Sequence, residues 1–277
     1  MPMSDKPKVS TWAKIETPEA AAEAIHKLDM LGRSGAESAA RQHYLDALDP
    51  QPGERIIDIG AGTGLATIDI ARRIAPEGKV VALDPSPPLL DAAKAKAAAA
   101  GLAELVECRV GDARAIPFPD GTFDRAFSHW VLLHVSPPEE IVREMRRVVR
   151  SGGRIVCVEL DWEAPIVHPG GPEVTRRIFD FCNARHLEQY LGRRLPGIVR
   201  ACGLANVQVQ PGMLFDEAAG GRQWLDFLKT RVALALAGNV VTAAEGEAWT
   251  RDIESAATAG RFLFAVPQFV VTGTVAS

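Results

Sequence analysis

Seven residues, Asp58-Ile59-Gly60-Ala61-Gly62-Thr63-Gly64, follow a short apolar run and precede a helical pattern. Glycines so placed let the backbone turn tightly and approach a ligand where a Cβ would clash. Two more carboxylates stand in related positions. Asp84 closes the apolar run KVVAL, and Asp112, in Gly111-Asp112-Ala113, closes VECRV. If these runs are neighbouring parallel strands, their carboxyl ends open onto one crevice, where such sheets bind ligands. Three acids then converge beside a glycine turn, and their sign selects the ligand. A dinucleotide would set its pyrophosphate at the N-terminus of the first helix, yet the loop holds no Lys or Arg. Counted from Gly60, the last glycine position of a GxGxxG signature is Leu65, where Gly or Ala is needed. A nucleoside carrying a sulfonium and an ammonium, with ribose hydroxyls for a carboxylate to bridge, suits these acids better. S-adenosylmethionine is such a molecule.

The elements that must position these residues alternate. RIIDI (55–59), KVVAL (79–83), VECRV (106–110), FDRAFS (123–128) and RIVCVE (154–159) read as strands. Helical patterns lie between them at 65–75, 86–101 and 136–153. The last has Ser136 as its N-cap and Gly152 as its terminator. Continuous Val/Ile runs joined by helices imply a parallel sheet covered on both faces. Upstream, Pro18 opens one helix and Ala39–Leu48 suggests another, before Pro50 and Pro52 break the chain. Downstream, 163–203 and 216–258 read as largely helical, VQVQ (207–210) as a strand and FAVPQFVVTG (264–273) as a late strand. Pro267 argues that this strand starts after it or lies at an edge. The expected organisation is an N-terminal helical cap over 1–50, a cofactor-binding core over 51–160, and 161–277 completing the sheet with helical insertions.

The chain has 277 residues, with 47% hydrophobic and 24% charged, and a formal net charge of −4. A nucleic-acid binder ordinarily needs a basic face, so nucleic acid is not expected, and no apolar stretch has the length of a membrane span. The N-terminus lacks the apolar region of a secretory signal. The four cysteines, Cys108, Cys157, Cys182 and Cys202, form no CxxC pair. A reducing cytoplasm is the expected location, with reduced thiols. No metal-ligand spacing occurs, and no metal is expected.

IIDIGAGTG resembles the first motif of class I S-adenosylmethionine-dependent methyltransferases, and VVALDPS resembles the second. VGDARAIPFPDGTFDRAFSHWVLLHV resembles the third and fourth motifs, and VVRSGGRIVCVE the strand-five motif. Together they span about 53–160 in the family's order. Within the family the chain is similar to the small-molecule branch of quinone C-methyltransferases and natural-product O-methyltransferases. The resemblance implies a Rossmann-like, doubly wound, mostly parallel seven-stranded α/β sheet whose last two strands form an antiparallel edge. It also implies that Gly60, Gly62 and Gly64 meet S-adenosylmethionine through backbone, and that Asp84, followed by Pro85, holds the ribose diol. Asp112 would bond the adenine amino group, with Ala113 adding a backbone contact. His129 would border the methionine portion, and Asp58 would order the loop or meet the ammonium. The segment holding Arg33, Arg41 and His43 would close over the cofactor, sometimes with a basic residue at its carboxylate. No Asn/Asp-Pro-Pro-Tyr/Phe motif follows strand four, which disfavours methylation of nucleobase amines.

For the chemical step, His134 after strand four and Glu159 at the end of strand five are the candidates to accept a substrate proton. Asp161 and His168 are further candidates. A structural histidine bonded to backbone is the bland alternative. Trp130 and Trp162 could wall an aromatic substrate or simply fill core, and Trp224 and Trp249 could belong to a lid, a subunit contact or core. The expected function is methyl transfer to an O, N or C atom of a small molecule. The rivals are a nicotinamide-dependent oxidoreductase and a non-catalytic S-adenosylmethionine-binding protein on the same fold. The expected partner is a small-molecule substrate, and a homodimer is compatible with the sequence.

Overall fold

The structure, a computed structural model, describes residues 15, 17–184, 188, 190–218 and 223–276. The polar N-terminal stretch, and with it the signal-peptide expectation, lies outside the described residues. Two helices, α1 (Pro18–Gly32) and α2 (Gly35–Leu48), precede the sheet. The alternating core follows: β1 (Arg55–Ile59), α3 (Leu65–Ile74), β2 (Lys79–Asp84), α4 (Pro87–Ala99), β3 (Val106–Val110), β4 (Phe123–His129), α5 (Glu139–Val148) and β5 (Val149–Leu160). The chain then runs through β6 (Ile166–His168), α6 (Pro172–Asn183), α7 (Leu191–Ala201), β7 (Leu204–Asp216), α8 (Gln223–Ala237), α9 (Ala243–Thr258) and β8 (Leu263–Val275).

β3-β2-β1-β4-β5 are parallel neighbours in that order, and β8 pairs antiparallel with β5 and β7. Strand side chains alternate between two apolar layers, as the period of two requires. Ile57, Val81, Ala126 and Ile155 pack with α5 and α7. Their neighbours Ile56, Val80, Phe127 and Val156 pack with α2 and α3. A third cluster joins α6, α8 and α9 through Phe179, Leu228 and Ile253 to Phe264 of β8, forming the cap. Among the described residues, no helix is long and apolar enough to cross a membrane.

Three expectations are corrected. Among the described residues the sheet has eight strands, not seven, because β6 interrupts the region expected to be helical and pairs with β8 from Ile166↔Ala265 to His168↔Leu263. Pro267 lies inside β8, neither before it nor at a free edge. It occupies the gap between the departure of β5 at Leu160↔Gln268 and the arrival of β6 at Ile166↔Ala265, where a missing N–H breaks no ladder bond. Its carbonyl still accepts from Asp161 N at 2.9 Å. Finally, α5 begins at Glu139 and ends at Val148, short of Gly152. Ser136 donates its hydroxyl to Glu188 Oε1 at 3.0 Å and does not cap the helix.

Candidate functional site

The glycine turn is strapped to the end of β2. Gly60 N and Ala61 N both donate to Leu83 O, at 2.8 and 3.0 Å. Asp84 holds it from the side chain, taking Gly62 N on Oδ2 and Ser86 N on Oδ1, each at 2.9 Å. Gly60 and Gly64 have φ of +66° and +80°, a region that L side chains enter only at a cost. A Cβ at Gly60 would overlap the methyls of Val131, and one at Gly64 would lie 2.7 Å from Ala93 Cβ and 3.1 Å from its Cα. Asp58 accepts the Thr67 hydroxyl at 2.5 Å, tying β1 to the first turn of α3. Burial pushes the Asp58 carboxyl up to about 7 and raises that of Asp84. A cation beside them would favour their charged forms. Asp112 differs: it is bidentate with Arg114, at 2.6 Å to Nη2, and that contact holds its pKa low.

The N-terminal helices close over this turn. Asp29 of α1 accepts from the Thr63 hydroxyl at 2.6 Å and pairs with Lys96 of α4 at 3.0 Å. From α2, Arg41 bonds Asp69 at 2.9 Å and Gly32 O at 2.8 Å, with one face on the cavity. Glu37, one turn earlier, lies 3.4 Å from His129 Nε2 and 4.0 Å from Arg41 Nη1. Among the described residues, neither Glu37 oxygen accepts a hydrogen bond of normal geometry, and His129 Nε2 has no hydrogen-bond partner. Burial raises Glu37 to about 8 and drops His129 to about 3, so the imidazole is neutral at physiological pH. His129 is packed between Tyr44 and Trp130, with ring centroids 5.2 and 4.4 Å away. Such orphaned polar atoms are rare in interiors unless a ligand completes them.

A cavity of about 530 Å³ runs from these acids to the cap. Its inner wall includes Asp58, Gly60, Gly62, Asp84, Asp112 and Ala113, with Pro85, His129 and His134 also facing it. Its outer wall carries Trp130, Trp162, Trp224 and Phe227, with Lys27 and Arg231. Trp130 adopts φ +57°, an outlier for a bulky residue, of the kind that marks functional positions. The orphaned polar atoms, the glycine surface that Cβ atoms would fill and the acids fit an S-adenosylmethionine-sized cation with ribose hydroxyls.

Not every expected residue reaches this cavity. Gly64 sits behind the wall, against Ala93. Arg33 is mostly exposed and His43 is exposed, so of the three basic residues expected near the cofactor only Arg41 lines the cavity. Asp161 is taken by Arg193, at 2.5 and 2.8 Å, and His168 is exposed on β6. Trp249 is core, its indole donating to Thr175 at 2.9 Å. Glu159, expected as a proton acceptor, does not line the cavity. It is fully buried, and its Oε1 accepts from Val131 N and Leu132 N at 3.0 and 2.8 Å, capping the 3-10 turn Leu132–His134 that carries His134. Burial raises Glu159 to about 8 from its usual 4.5. A carboxyl raised by folding contributes stability that is present below its unfolded pKa and lost as pH rises through the folded one. Glu159→Gln is therefore expected to keep turnover, and to gain in Tm relative to the parent as pH rises from about 4.5 to about 8. A large loss of turnover with cofactor binding intact would restore Glu159 as the base. Glu37, Lys27 and Arg231 were missed by the sequence reading. For Arg231 a signal existed, since Trp224, Phe227 and Arg231 recur at a spacing that puts them on one helical face.

A glycine turn strapped to parallel strands that end in acids, beneath packed helices, is a Rossmann-like arrangement. The methyltransferase domain family model matches residues 57–157. An uncharacterized 37.1 kDa transposon protein of Streptomyces fradiae is 30% identical over 249 residues, covering 89% of this chain and 70% of that protein. The demethylmenaquinone methyltransferase of Symbiobacterium thermophilum is 34% identical over 123 residues, 44% of this chain and 47% of that enzyme. The chain thus spans about half the length of the quinone methyltransferases it matches. Among solved structures, a Haemonchus contortus phosphoethanolamine N-methyltransferase 2 bound to S-adenosylhomocysteine superposes with a TM-score of 0.62 at 16% identity, covering 97% of this chain and 61% of that one. That similarity concerns the fold alone. The chain belongs to the class I S-adenosylmethionine-dependent methyltransferases.

Proposed function

We propose that this chain moves the methyl group of S-adenosylmethionine to an O, N or C atom of a small, ring-bearing acceptor. The observation that carries the reading is the continuity of one cavity from the acid-tipped strands to the aromatic cap. When bound, S-adenosylmethionine supplies a methyl on positively charged sulfur, which keeps the bonding pair as a neutral thioether once the acceptor atom takes the methyl. In this reading Gly60 and Gly62 lie against the cofactor through backbone, Asp84 takes the ribose diol, with Pro85 stiffening its turn, and Asp112 with Ala113 meets the adenine. Neutral His129 walls the methionine portion, Arg41 faces its carboxylate, and Asp58 and Glu37 face its ammonium. The cap orients the acceptor and excludes water, which is most of what an already activated methyl requires.

His134, on the cavity wall and held by the Glu159-capped turn, receives the proton that the acceptor gives up. His134→Ala is expected to lower turnover about a hundredfold or more, with cofactor affinity unchanged by calorimetry. Full turnover across the pH range would remove it from that role. The buried thiols of Cys157, Cys182 and Cys202 suit a reducing compartment, here the cytoplasm. The reading as a whole is tested by incubating the protein with methyl-labelled S-adenosylmethionine and a panel of phenols, quinols and amines. Labelled product with matching release of S-adenosylhomocysteine is expected. A sample that binds the cofactor but labels no acceptor would contradict it.

A further inference from the structure

Ser34-Gly35-Ala36-Glu37 opens α2 in the pattern of a capping box, in which the acid three residues past the cap reaches back to the cap N–H. Thr242 and Glu245 complete that exchange at the start of α9, with Glu245 Oε2 accepting from Thr242 N at 2.8 Å. Glu37 does not. Ser34 Oγ accepts from Glu37 N at 3.2 Å, but Ser34 N donates to Leu31 O. The Glu37 side chain turns inward onto the cavity wall and is 1% exposed. The groups packed around it are engaged elsewhere. Arg41 Nη1 comes to 4.0 Å, yet Arg41 donates to Asp69 and to Gly32 O. Tyr44, on the same helix, gives its hydroxyl hydrogen to Gln268 Oε1 of β8 at 2.5 Å. His129 of β4, 3.4 Å away, is neutral. Further along the cavity stand Asp58 and Asp84 at the strand ends, and Lys27 and Arg231 toward the cap. A carboxyl so enclosed, with neither oxygen accepting a hydrogen bond of normal geometry among the described residues, keeps its proton at neutral pH.

We propose that Glu37 carries a proton in the free protein and releases it to solvent when the cofactor's ammonium is seated beside it, so that cofactor capture and proton release are one event. This rests on the methyltransferase reading and adds the regulation of the same site. No direct contact is needed. A unit charge about 5 Å away in a protein interior favours the ionised carboxyl on the order of a hundredfold. That outweighs the roughly tenfold preference for the neutral form at about pH 7. The O–H bond of the carboxyl breaks and the proton passes to water. The carboxylate left behind can accept Nε2–H from neutral His129. Because binding expels a proton, rising pH favours it: affinity should climb about tenfold per pH unit from about pH 6 to about pH 8, and level off above.

The test titrates the full chain with S-adenosylhomocysteine and with 5′-methylthioadenosine, the same nucleoside without the amino acid end. Calorimetry at about pH 7 in phosphate and in Tris, buffers of small and large ionisation enthalpy, counts the protons released. Both ligands carry the ribose, so any proton from Asp84 is common to the two. S-adenosylhomocysteine is expected to release about one proton more than methylthioadenosine. Glu37→Gln, close to the parent in shape, should cut that difference to about half a proton or less, the share open to Asp58, and flatten the rise of affinity with pH. Glu37→Asp should keep the release while binding more weakly. Equal release by the two ligands, heats independent of buffer, or a Glu37→Gln variant that releases as much as its parent would each overturn the proposal. The comparison of ligands needs only the parent chain, so it stands even if a variant fails to fold. Failure of both nucleosides to bind would instead count against the methyltransferase reading, which keeps the two failures apart.

Discussion

Asp84→Ala is expected to weaken S-adenosylmethionine binding by about 1.5–3 kcal/mol, or ten- to a hundredfold in Kd. Two losses combine. The carboxylate that would bridge the ribose diol disappears, and so do the acceptors of Gly62 N and Ser86 N that shape the turn. Asp84→Asn separates them, since one amide oxygen can still accept from Gly62 while the charge is gone. The alanine variant also leaves Gly62 N and Ser86 N without their acceptor, so a fall in Tm should accompany its loss of affinity, and Asp84→Asn should show less of that fall. Isothermal titration calorimetry with unchanged affinity in Asp84→Ala would remove Asp84 from the cofactor site.

Gly64→Ala is expected to act on the fold itself. The residue lies at φ +80°, and its added methyl would press on Ala93 Cβ and Cα of α4 at 2.7 and 3.1 Å. The left-handed conformation costs an L-residue about 1–2 kcal/mol, and overpacking against a helix backbone adds about 1–3 kcal/mol. A chain of this size loses roughly 2–4 °C per kcal/mol, so a Tm drop of about 5–15 °C is expected by scanning calorimetry. The loop should also lose cofactor affinity, because α3 begins at the next residue and moves with it. A variant as stable as its parent would mean that α4 yields without cost and that the turn is not fixed by this contact.

The parallel core was legible because strands covered on both faces must be largely apolar, and RIIDI, KVVAL and RIVCVE announce themselves that way. The acid at the end of β2 was legible for a related reason: a charge that terminates an apolar run is out of place unless it serves the crevice. What escaped was set by tertiary contacts. β6 is three residues long and exists because β8 outlasts β5, and Pro267 is tolerated only at that hand-over. Glu159 looked like a base because sequence shows that an acid ends β5 but not which face it takes. It shares a face with Cys157, and its carboxyl is spent on the Val131 and Leu132 backbone, behind the residues that line the cavity. Glu37 and Arg231 lie on amphipathic helices, where a charged residue is expected on the solvated side. Only the closing of α2 and α8 over the sheet makes them interior.

In the proposed function, the acid-tipped ends of β1, β2 and β3, beside the glycine turn, cradle a positively charged sulfur nucleoside. Isothermal titration of the purified chain with S-adenosylmethionine, S-adenosylhomocysteine and NAD puts this to the test. Binding of both sulfur nucleosides at one site per chain, with Kd of about 1–100 μM, and no heat from NAD is the expected result. Binding of NAD, or silence toward both nucleosides, would contradict it.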